Sequence, residues 1–321
     1  MDMKTQTINI GGNTINAGEK KSYIQMIDLD ETRVELPVFI INGMNEGPTL
    51  VISGGVHGAE YASIEAALQL GQGLQPADIA GQLIILPVMN MPAFQARSIY
   101  VCPLDGINLN RVFPGKAGSG KTEQLAYWVF ENVIRQADYY IDMHGGDLVE
   151  ALAPFTIYSE TGNAEVDEKS KTLAAIYGIR DIVKSTSKGS TIAGASGAGI
   201  PAILTEVGGQ GIWTPDMVEA HVQGVERVLS WLGMKNEKTF IAAPMRILNQ
   251  FIWLSSEATG YYYPQVKIGD KVKKGQQIAQ IKSFEGNVLQ EVIAPADGEV
   301  LFLVSSLAIN QGDPLLSIGA V

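Results

Sequence analysis

The stretch TLVISGGVHGAEYASIEAALQL, residues 49–70, decides the fold prediction. It opens with an apolar run that has no polar alternation, which is typical of a strand buried on both faces. From Tyr61 onward the apolar residues recur at helical spacing. The pattern therefore predicts a buried strand, a glycine-rich turn and a helix.

The same alternation continues downstream. Short apolar runs that predict strands recur at 82–88, 138–143, 156–159, 181–184 and 202–207. Helical spacing recurs at 122–136, 171–179 and 215–234, and a long irregular segment follows residue 88. Continuously apolar strands that alternate with helices predict an α/β fold with a mixed, mostly parallel sheet flanked by helices.

The two ends of the chain differ from this central part, residues 45–236. Residues 1–44 alternate in strand fashion between Gly and Asn turns, which predicts an antiparallel N-terminal β segment that packs on the central domain. Residues 240–321 are rich in Val, Ile and Gly, show no helical pattern, and repeat at an offset of 37 residues. The repeat aligns Val272, Gly275, Ile278 and Ile281 with Ile309, Gly312, Leu315 and Ile318. Two such halves resemble the flattened barrel of biotinyl and lipoyl carrier domains.

A carrier domain needs a lysine at the hairpin tip between its halves. Here the tip region reads KSFEGNVLQ, and Glu285 or Gly286 occupies the place expected for that lysine. Lys282 comes earlier, on a predicted strand. Residues 240–321 are therefore predicted to form an all-β, barrel-sandwich-like domain without the carrier lysine, with a structural or lid role.

Composition excludes several classes of partner. The 321 residues, 46% of them hydrophobic, suffice for one large domain and a small one. The net charge of −11 comes without a cluster of Lys and Arg, so we expect no nucleic acid and no membrane as partner. The single cysteine, Cys102, fits a reducing compartment, and the N-terminal residues lack an apolar secretory segment. We therefore expect a cytoplasmic protein.

Two of the three histidines follow predicted strands directly. His57 and Glu60 lie in GGVHGAE, and His144 lies in DMHGG. Open α/β sheets build their sites at the carboxyl ends of strands. Two imidazoles and one carboxylate are the ligand set of a catalytic zinc, with the fourth position left for water. We therefore predict that these three residues bind one Zn²⁺ per chain, whereas His221 is interpreted as a helix-face residue.

Hydrolysis at a metal also needs a base and groups that hold the substrate. Glu206 ends a predicted buried strand in LTEVGG, where a carboxylate is costly unless it has a partner or a function. Arg97, Asn110 and Arg111 lie in the long segment after residue 88. Arginine can hold a carboxylate or stabilise an oxyanion, and asparagine adds a neutral donor. These four residues are the candidates for the remaining functions.

Four motifs occur in one order along the chain: GGVHGAE, NLNRVFPG, DMHGG and LTEVGG. Together they resemble the succinylglutamate desuccinylase/aspartoacylase family, a branch of the zinc carboxypeptidase superfamily. The resemblance covers roughly residues 45–235, and many members also carry a barrel-like C-terminal domain. It implies a zinc carboxypeptidase-like fold for the catalytic domain, residues 45–236.

The resemblance also implies a role for each candidate residue. It makes His57, Glu60 and His144 the zinc ligands and Glu206 the general base. Arg97 would stabilise the oxyanion. The substrate carboxylate would be held by Asn110 and Arg111.

The substrate class follows from the same comparison of motifs. Some members of the family use an additional cation to hold an acidic side chain, and no arginine lies between Arg180 and Arg227 here. The sequence therefore resembles more closely the members that deacetylate small N-acylated amino acids or diamino acids. We expect a zinc-dependent amidohydrolase that acts on a small N-acyl amino acid. The alternatives are a carboxypeptidase-like or esterase activity at the same centre, or a non-catalytic metal- or ligand-binding protein. A homo-oligomer is compatible with the sequence, and a tyrosine of Tyr261–Tyr263 is a further candidate for the site.

The stretch PGKAGSGKT, residues 114–122, matches the phosphate-loop pattern G-x-x-x-x-G-K-S/T. A true phosphate loop follows a buried strand directly. Here the preceding residues, DGINLNRVFP, are polar and end in proline. We therefore expect no bound nucleotide, but a glycine connector before a helix with Thr122 as its N-cap.

Overall fold

A computed structural model describes residues 7–235 and 245–320, so the predicted boundary between the catalytic and C-terminal domains lies outside the described residues. The strands in the described ranges are β1 (Ile8–Ile10), β2 (Asn13–Ile15), β3 (Lys20–Leu29), β4 (Thr32–Asn42), β5 (Asn45–Ser53), β6 (Ala80–Leu86), β7 (Tyr139–His144), β8 (Glu150–Leu152), β9 (Phe155–Ser159), β10 (Asp181–Ser185), β11 (Ala202–Glu206), β12 (Arg246–Leu248), β13 (Gln250–Ser255), β14 (Gly260–Pro264), β15 (Lys271–Val272), β16 (Gln277–Lys282), β17 (Val288–Ile293), β18 (Gly298–Val304), β19 (Ala308–Ile309) and β20 (Pro314–Ala320). The helices are α1 (Tyr61–Gly73), α2 (Met91–Ala96), α3 (Lys121–Asn132), α4 (Ala164–Tyr177), α5 (Thr191–Gly197) and α6 (Pro215–Trp231). None of these helices is long and apolar enough to cross a membrane.

Nine strands form the central sheet, in the order β12-β10-β9-β11-β7-β5-β6-β4-β3. Five of the eight neighbouring pairs are parallel, and the other three are antiparallel. Leu50 and Ile52 of β5 pack in the same cluster as α1, α4 and α6, whereas Val51 packs with α3 and α5 on the other face. Burial on both faces explains why the run 49–53 is continuously apolar. The predicted α/β fold with a mixed, mostly parallel sheet flanked by helices is therefore confirmed.

The N-terminal strands extend this sheet at one edge. β3 and β4 pair antiparallel from Lys20 opposite Ile41 to Leu29 opposite Thr32, and β4 pairs antiparallel with β6. The antiparallel start predicted from the alternation is thus present. β3 and β4 therefore continue the central sheet, whereas β1 and β2 form a separate two-stranded sheet.

Three helices differ from the sequence prediction: α5 was not predicted, and the other two show how a side-chain cap sets the start of a helix. α4 begins at Ala164, earlier than the predicted start at residue 171, because the Asn163 side chain accepts the N–H groups of Glu165 and Val166 as an N-cap. The segment predicted to be irregular contains α2, which Asn90 caps in the same way. In both cases the capping residue supplies the acceptor that the free N–H groups of a first turn need.

The C-terminal β domain consists of two sheets. One has the order β13-β20-β18-β15, with β8 added beside β18, and the other has the order β17-β16-β14-β19. β15 and β16 recur as β19 and β20 at the offset of 37 read from the sequence. Gly275 and Gly312, at φ 88° and 91°, occupy equivalent left-handed positions between these strands. The repeat in the sequence is therefore a repeat in the structure, and the all-β character of the domain is confirmed.

Candidate active site

The turn between β5 and α1 brings His57 and Glu60 to the carboxyl edge of the sheet. His57 Nδ1 lies 2.6 Å from Glu60 Oε1. The turn packs closely on α2, because a Cβ on Gly58 would lie 2.1 Å from the backbone nitrogen of Phe94. Only glycine fits at that approach. Close packing of the turn thus fixes an imidazole and a carboxylate at one point.

The end of β7 supplies a second imidazole to the same point. His144 Nδ1 lies 2.9 Å from Glu60 Oε2, and the His57 and His144 ring centroids are 5.1 Å apart. The ligand atoms of all three residues lie within 4.8 Å of one another. Because β5 and β7 are parallel neighbours, their carboxyl ends meet at one edge of the sheet. The structure therefore brings together the three residues predicted to bind zinc.

Asp142 orients His144 from the opposite side of the ring. Asp142 Oδ2 lies 2.8 Å from His144 Nε2, and the same carboxylate accepts the hydroxyls of Ser53 and Thr191. A proton on Nε2 leaves Nδ1 as the ring nitrogen that faces Glu60. The sequence signal was the spacing in DMH, since residues two apart on a strand share a face.

The electrostatics of this group are those of closely packed ion pairs. Burial opposes ionisation of Glu60, but the imidazoles of His144 and His57 lower its pKa to about 2. Burial also opposes protonation of His144, but Asp142 and Glu60 raise its pKa well above the usual value. The pKa of His57 is raised by Glu60 against the same effect of burial. Metal binding requires neutral histidines and releases protons, so a divalent cation at these ligand atoms would compete with protons for the two imidazoles.

The donor set fits zinc. Two imidazole nitrogens and one carboxylate oxygen are typical zinc ligands that leave one position open, whereas calcium and magnesium prefer oxygen ligands alone. A ligating histidine also commonly donates its second ring N–H to a carboxylate, as His144 does to Asp142. The residues present therefore match the metal that the motifs predicted.

Glu206 ends β11 directly opposite His144 of β7. Its Oε2 atom is buried and has no hydrogen-bond partner within the described chain. Burial, and then repulsion from the Glu60 carboxylate, raise the pKa of Glu206 well above its usual value. A buried polar atom without a partner is costly and rare in folded proteins. An acid at this place is suited to exchange a proton with a molecule bound beside the cluster.

The turn that contains Asn110 and Arg111 lies against His57. Asn108 Oδ1 lies 3.2 Å from His57 Nε2 and accepts the Asn110 N–H at 2.8 Å. Asn110 is buried, and its Oδ1 accepts the Thr191 N–H at 2.9 Å, which leaves the amide NH₂ as a donor. Arg111 is exposed and donates to the Asn110 carbonyl at 2.8 Å. The structure thus places the turn that carries a neutral donor and a cation against His57, through Asn108, the first residue of the motif NLNRVFPG, to which the sequence analysis gave no role.

Arg97 is not brought into contact with the cluster. It caps the C-terminal end of α2 at φ 52°, and its side chain is exposed. Across residues 7–235 and 245–320, no hydrogen bond or ion pair joins its guanidinium to His57, Glu60 or His144. Its predicted oxyanion role stays a prediction.

The three tyrosines of β14 make their contacts inside the β domain. Tyr262 is buried in the core of that domain. The Tyr261 ring packs edge-on against Phe284 at 5.5 Å, and Lys282 Nζ lies 5.0 Å from the Tyr263 ring centroid. The side chains of Tyr261–Tyr263, which were candidates for reaching the site, thus contact other residues of the β domain.

The N-terminus of α3 corrects the prediction for PGKAGSGKT. The N-cap is Gly120 and not Thr122, because the Asp105 carboxylate accepts both the N–H and the hydroxyl of Thr122. A helix N-terminus attracts anions. Here an acid of the chain itself takes that position, so a phosphate would have to displace it. This geometry supports the interpretation of residues 114–120 as a connector.

His221 lies in the core and not on an exposed helix face. Its ring is buried, with Nδ1 3.0 Å from the Tyr177 hydroxyl and 3.3 Å from Thr205 Oγ1. Burial lowers the pKa of His221 to about 4, which keeps the ring neutral. The interpretation of His221 as a structural histidine therefore holds, with the location corrected.

The fold and the site define an α/β protein with a mixed sheet, in which a His₂Glu group that could hold a metal ion lies at the carboxyl ends of neighbouring strands. The family model of the succinylglutamate desuccinylase/aspartoacylase catalytic domain matches residues 46–232. The chain therefore belongs to the succinylglutamate desuccinylase/aspartoacylase family, whose members are amide hydrolases.

Individual relatives extend this similarity beyond the catalytic domain. The N-alpha-acetyl-L-2,4-diaminobutyric acid deacetylase of Halomonas elongata is 29% identical over 298 residues, which cover 90% of this chain and 86% of that protein. The crystal structure of a succinylglutamate desuccinylase/aspartoacylase from Rhodobacter sphaeroides is 25% identical, with a TM-score of 0.84 and coverage of 93% of this chain and 94% of that one. The product-bound ectoine utilization protein EutE (DoeB) of Ruegeria pomeroyi shares the fold, with a TM-score of 0.85 at 24% identity over 94% of this chain and 95% of that one. Coverage on this scale includes the β domain.

Proposed function

We propose that the protein is a zinc-dependent deacylase that hydrolyses the amide bond of a small N-acyl amino acid. The observation that carries the proposal is the buried Glu206 Oε2 atom, which has no hydrogen-bond partner among the described residues and lies beside the cluster of His57, Glu60 and His144. Amide hydrolysis at a metal needs both a cation site and a base next to it. The similarity to the Halomonas deacetylase supports N-acetylated diamino acids as the first substrates to test.

The cation site and the base divide the work of the reaction. His57 and His144 would hold the ion through ring nitrogens, and Glu60 through its carboxylate. Zinc held there supplies a Lewis acid that polarises the acyl carbonyl and lowers the pKa of water. Glu206 accepts the proton of the attacking water while a bond forms between the water oxygen and the acyl carbon. Glu206 then gives that proton to the nitrogen as the C–N bond breaks.

The groups near His57 suit the carboxylate of an amino acid. The Asn110 amide offers a neutral donor, and the exposed Arg111 guanidinium offers a cation that can bind both carboxylate oxygens. Arg97 is assigned to the oxyanion, which requires its exposed guanidinium to turn toward the cluster. The absence of arginine between Arg180 and Arg227 in the sequence supports a neutral or basic side chain on the substrate.

A panel of acylated amino acids with the zinc-loaded protein tests the proposal. The panel contains N-acetyl, N-succinyl and N-formyl amino acids, N-alpha-acetyl-2,4-diaminobutyrate, and short peptides and esters for comparison. The released acid should be measured, for example as acetate by NMR, because diamino substrates already carry a free amine. Hydrolysis of the N-acetyl compounds is the expected result. Cleavage of only esters or C-terminal peptide bonds would support the carboxypeptidase-like or esterase alternative, and zinc binding without hydrolysis would support a binding protein.

A further inference from the structure

The catalytic and β domains exchange strands. β8 lies in the sequence of the catalytic domain but pairs antiparallel with β18 of the β domain. The Ser305 N–H donates to the Val149 carbonyl at 2.8 Å, and the Ala153 N–H donates to the Leu301 carbonyl at 2.9 Å. In the other direction, β12 pairs in parallel with β10 of the central sheet. Each part of the chain thus contributes a strand to the sheet of the other.

An ion-pair network fixes the same junction. Arg246 contacts Asp181 at 2.5 Å and Glu299 at 2.8 Å, and Arg180 contacts Asp181 at 2.8 Å and Glu299 at 3.0 Å. Asp181 is buried, so movement of the β domain away from the catalytic domain would remove Arg246 from this charge and leave only Arg180 as its partner. The junction favours a fixed structural role for the β domain over a lid.

Few residues separate this junction from the cluster of His57, Glu60 and His144. Val149, whose carbonyl accepts the N–H of Ser305 just after β18, lies five residues after His144. At the other end of the turn, the Gly145 N–H donates to Glu60 Oε2 at 3.2 Å. We call residues 145–149 the connecting turn. One end of the connecting turn is held by the cluster and the other by the β domain.

The acids at this turn hold a strained residue in place. Tyr100 has φ 62°, and the Val101 N–H donates to the Ile99 carbonyl at 2.7 Å, which closes a γ-turn around it. The Tyr100 N–H donates to Asp147 Oδ2 at 2.9 Å, and its hydroxyl interacts with the Glu150 carboxyl. A large side chain in the left-handed region is unfavourable and persists only where neighbouring groups hold it.

Both carboxylates accept hydrogen bonds from backbone groups of the chain itself. Asp147 and Glu150 are buried. Asp147 accepts the N–H groups of Tyr100 and Leu148, and Glu150 accepts the Asp147 N–H at 2.7 Å. Their contacts therefore position the backbone around them.

We propose that the β domain is a positioning element of the active site. β18 pairs with β8, and β8 continues directly from the connecting turn. Asp147 and Glu150 contact Tyr100, which lies in the loop 97–102 that begins with Arg97. Tyr100, Asp147 and Glu150 are positioning residues that act through this loop. The catalytic consequence rests on the proposed function, whereas the structural dependence can be measured without turnover.

Proline at position 305 tests the contact between Ser305 and Val149. Ser305→Pro removes the N–H that binds Val149, at an exposed position, and Ser305→Ala is the matched control that keeps this N–H. Amide hydrogen exchange is measured on the full metal-free chain. In Ser305→Pro, the amides of 97–102 and 145–153 should exchange about tenfold faster, the factor expected for loss of a hydrogen bond of ordinary strength. Helix α3 and the control should match the wild type. Wild-type exchange in 97–102 in a folded Ser305→Pro protein would overturn the proposal.

Tyr100→Phe tests the contact between Tyr100 and Glu150. It also tests the positioning role if the Ser305→Pro protein does not fold. It removes only the hydroxyl that interacts with Glu150. We expect faster exchange in 145–150 and, on the substrate identified by the panel, a kcat lower by about tenfold for loss of one such contact. KM should stay unchanged because Asn110 and Arg111 are not disturbed. Unchanged exchange together with unchanged kcat would refute a positioning role. Should the wild type hydrolyse no N-acyl amino acid, the proposed function fails while the exchange result still decides this inference.

Discussion

Asparagine in place of Asp142 removes the negative charge behind His144 while it keeps the shape of the side chain. The carboxylate lies 2.8 Å from His144 Nε2 and accepts two hydroxyls, from Ser53 and Thr191. An amide can accept from His144, but its NH₂ group must then face one of those hydroxyls. Loss of such a carboxylate typically weakens metal binding or activity by about 10–100-fold. This range corresponds to about 1.4–2.7 kcal/mol in binding free energy.

Competition between the protein and a chromogenic chelator measures this effect for Asp142→Asn. The assay should be run at several pH values, because the Asp142 charge also raises the pKa of His144 and thereby favours the competing proton. The affinity difference between wild type and variant should widen as pH rises and that competition fades. Thr191→Val is the control, since it removes one hydroxyl donor and keeps the charge. Zinc affinity of Asp142→Asn equal to that of the wild type at high pH would refute the orienting role.

Three further predictions follow from contacts at or away from the cluster. Zinc binding should release protons and weaken as the pH falls through the raised pKa values of His57 and His144, and an affinity that stays constant from about pH 8 to 6 would contradict this. Asp181→Asn should lower the free energy of unfolding at neutral pH by about 2 kcal/mol through lost charge-assisted hydrogen bonds. Burial opposes ionisation of Asp181, but hydrogen bonds from arginine lower its pKa overall. The stabilisation by the Asp181 charge is therefore present above about pH 4, the ordinary pKa of an aspartate, and is lost as the pH falls below it. Urea unfolding curves of the two proteins should therefore converge in acid. Asp105→Ala should lower the free energy of unfolding by about 1 kcal/mol, measured by thermal unfolding, because the N-terminus of α3 loses its acceptor. Lys121→Ala should change the free energy of unfolding by less than about 0.5 kcal/mol and leave activity unchanged.

The parts of the fold and site that were readable from the sequence have local signals. The apolar run 49–53 predicted β5 because burial on both faces removes polar alternation. His57, Glu60 and His144 were recognisable because each follows such a run closely, at the end of a strand. The repeat in the β domain was readable because two structurally equivalent pairs of strands bury apolar residues at equivalent positions of their sequences.

The parts that were not readable depend on contacts between distant residues. The order β11-β7-β5, which places Glu206 beside the cluster, is a pairing of strands far apart in the chain. β8 is only three residues long, and its pairing with β18 leaves no pattern in either segment. The N-cap at Thr122 was predicted wrongly because its N–H and hydroxyl are taken by Asp105, a residue from another loop. The exposed position of Arg97 depends on the path of its loop, which motif order does not determine.

Glu206→Gln tests the proposed reaction most directly. The change keeps the size of the side chain, and Oε2 has no partner among residues 7–235 and 245–320 that the amide would disturb, so the folded chain should keep its stability. The variant should bind about one zinc ion per chain, as the wild type should. Its turnover should fall by about 10²–10⁴-fold, because glutamine cannot accept the proton from water or return it to the amine. Zinc content and release of the acid product are measured on the same preparation. Full zinc content with little or no turnover is the predicted result, and turnover equal to that of the wild type would contradict the account.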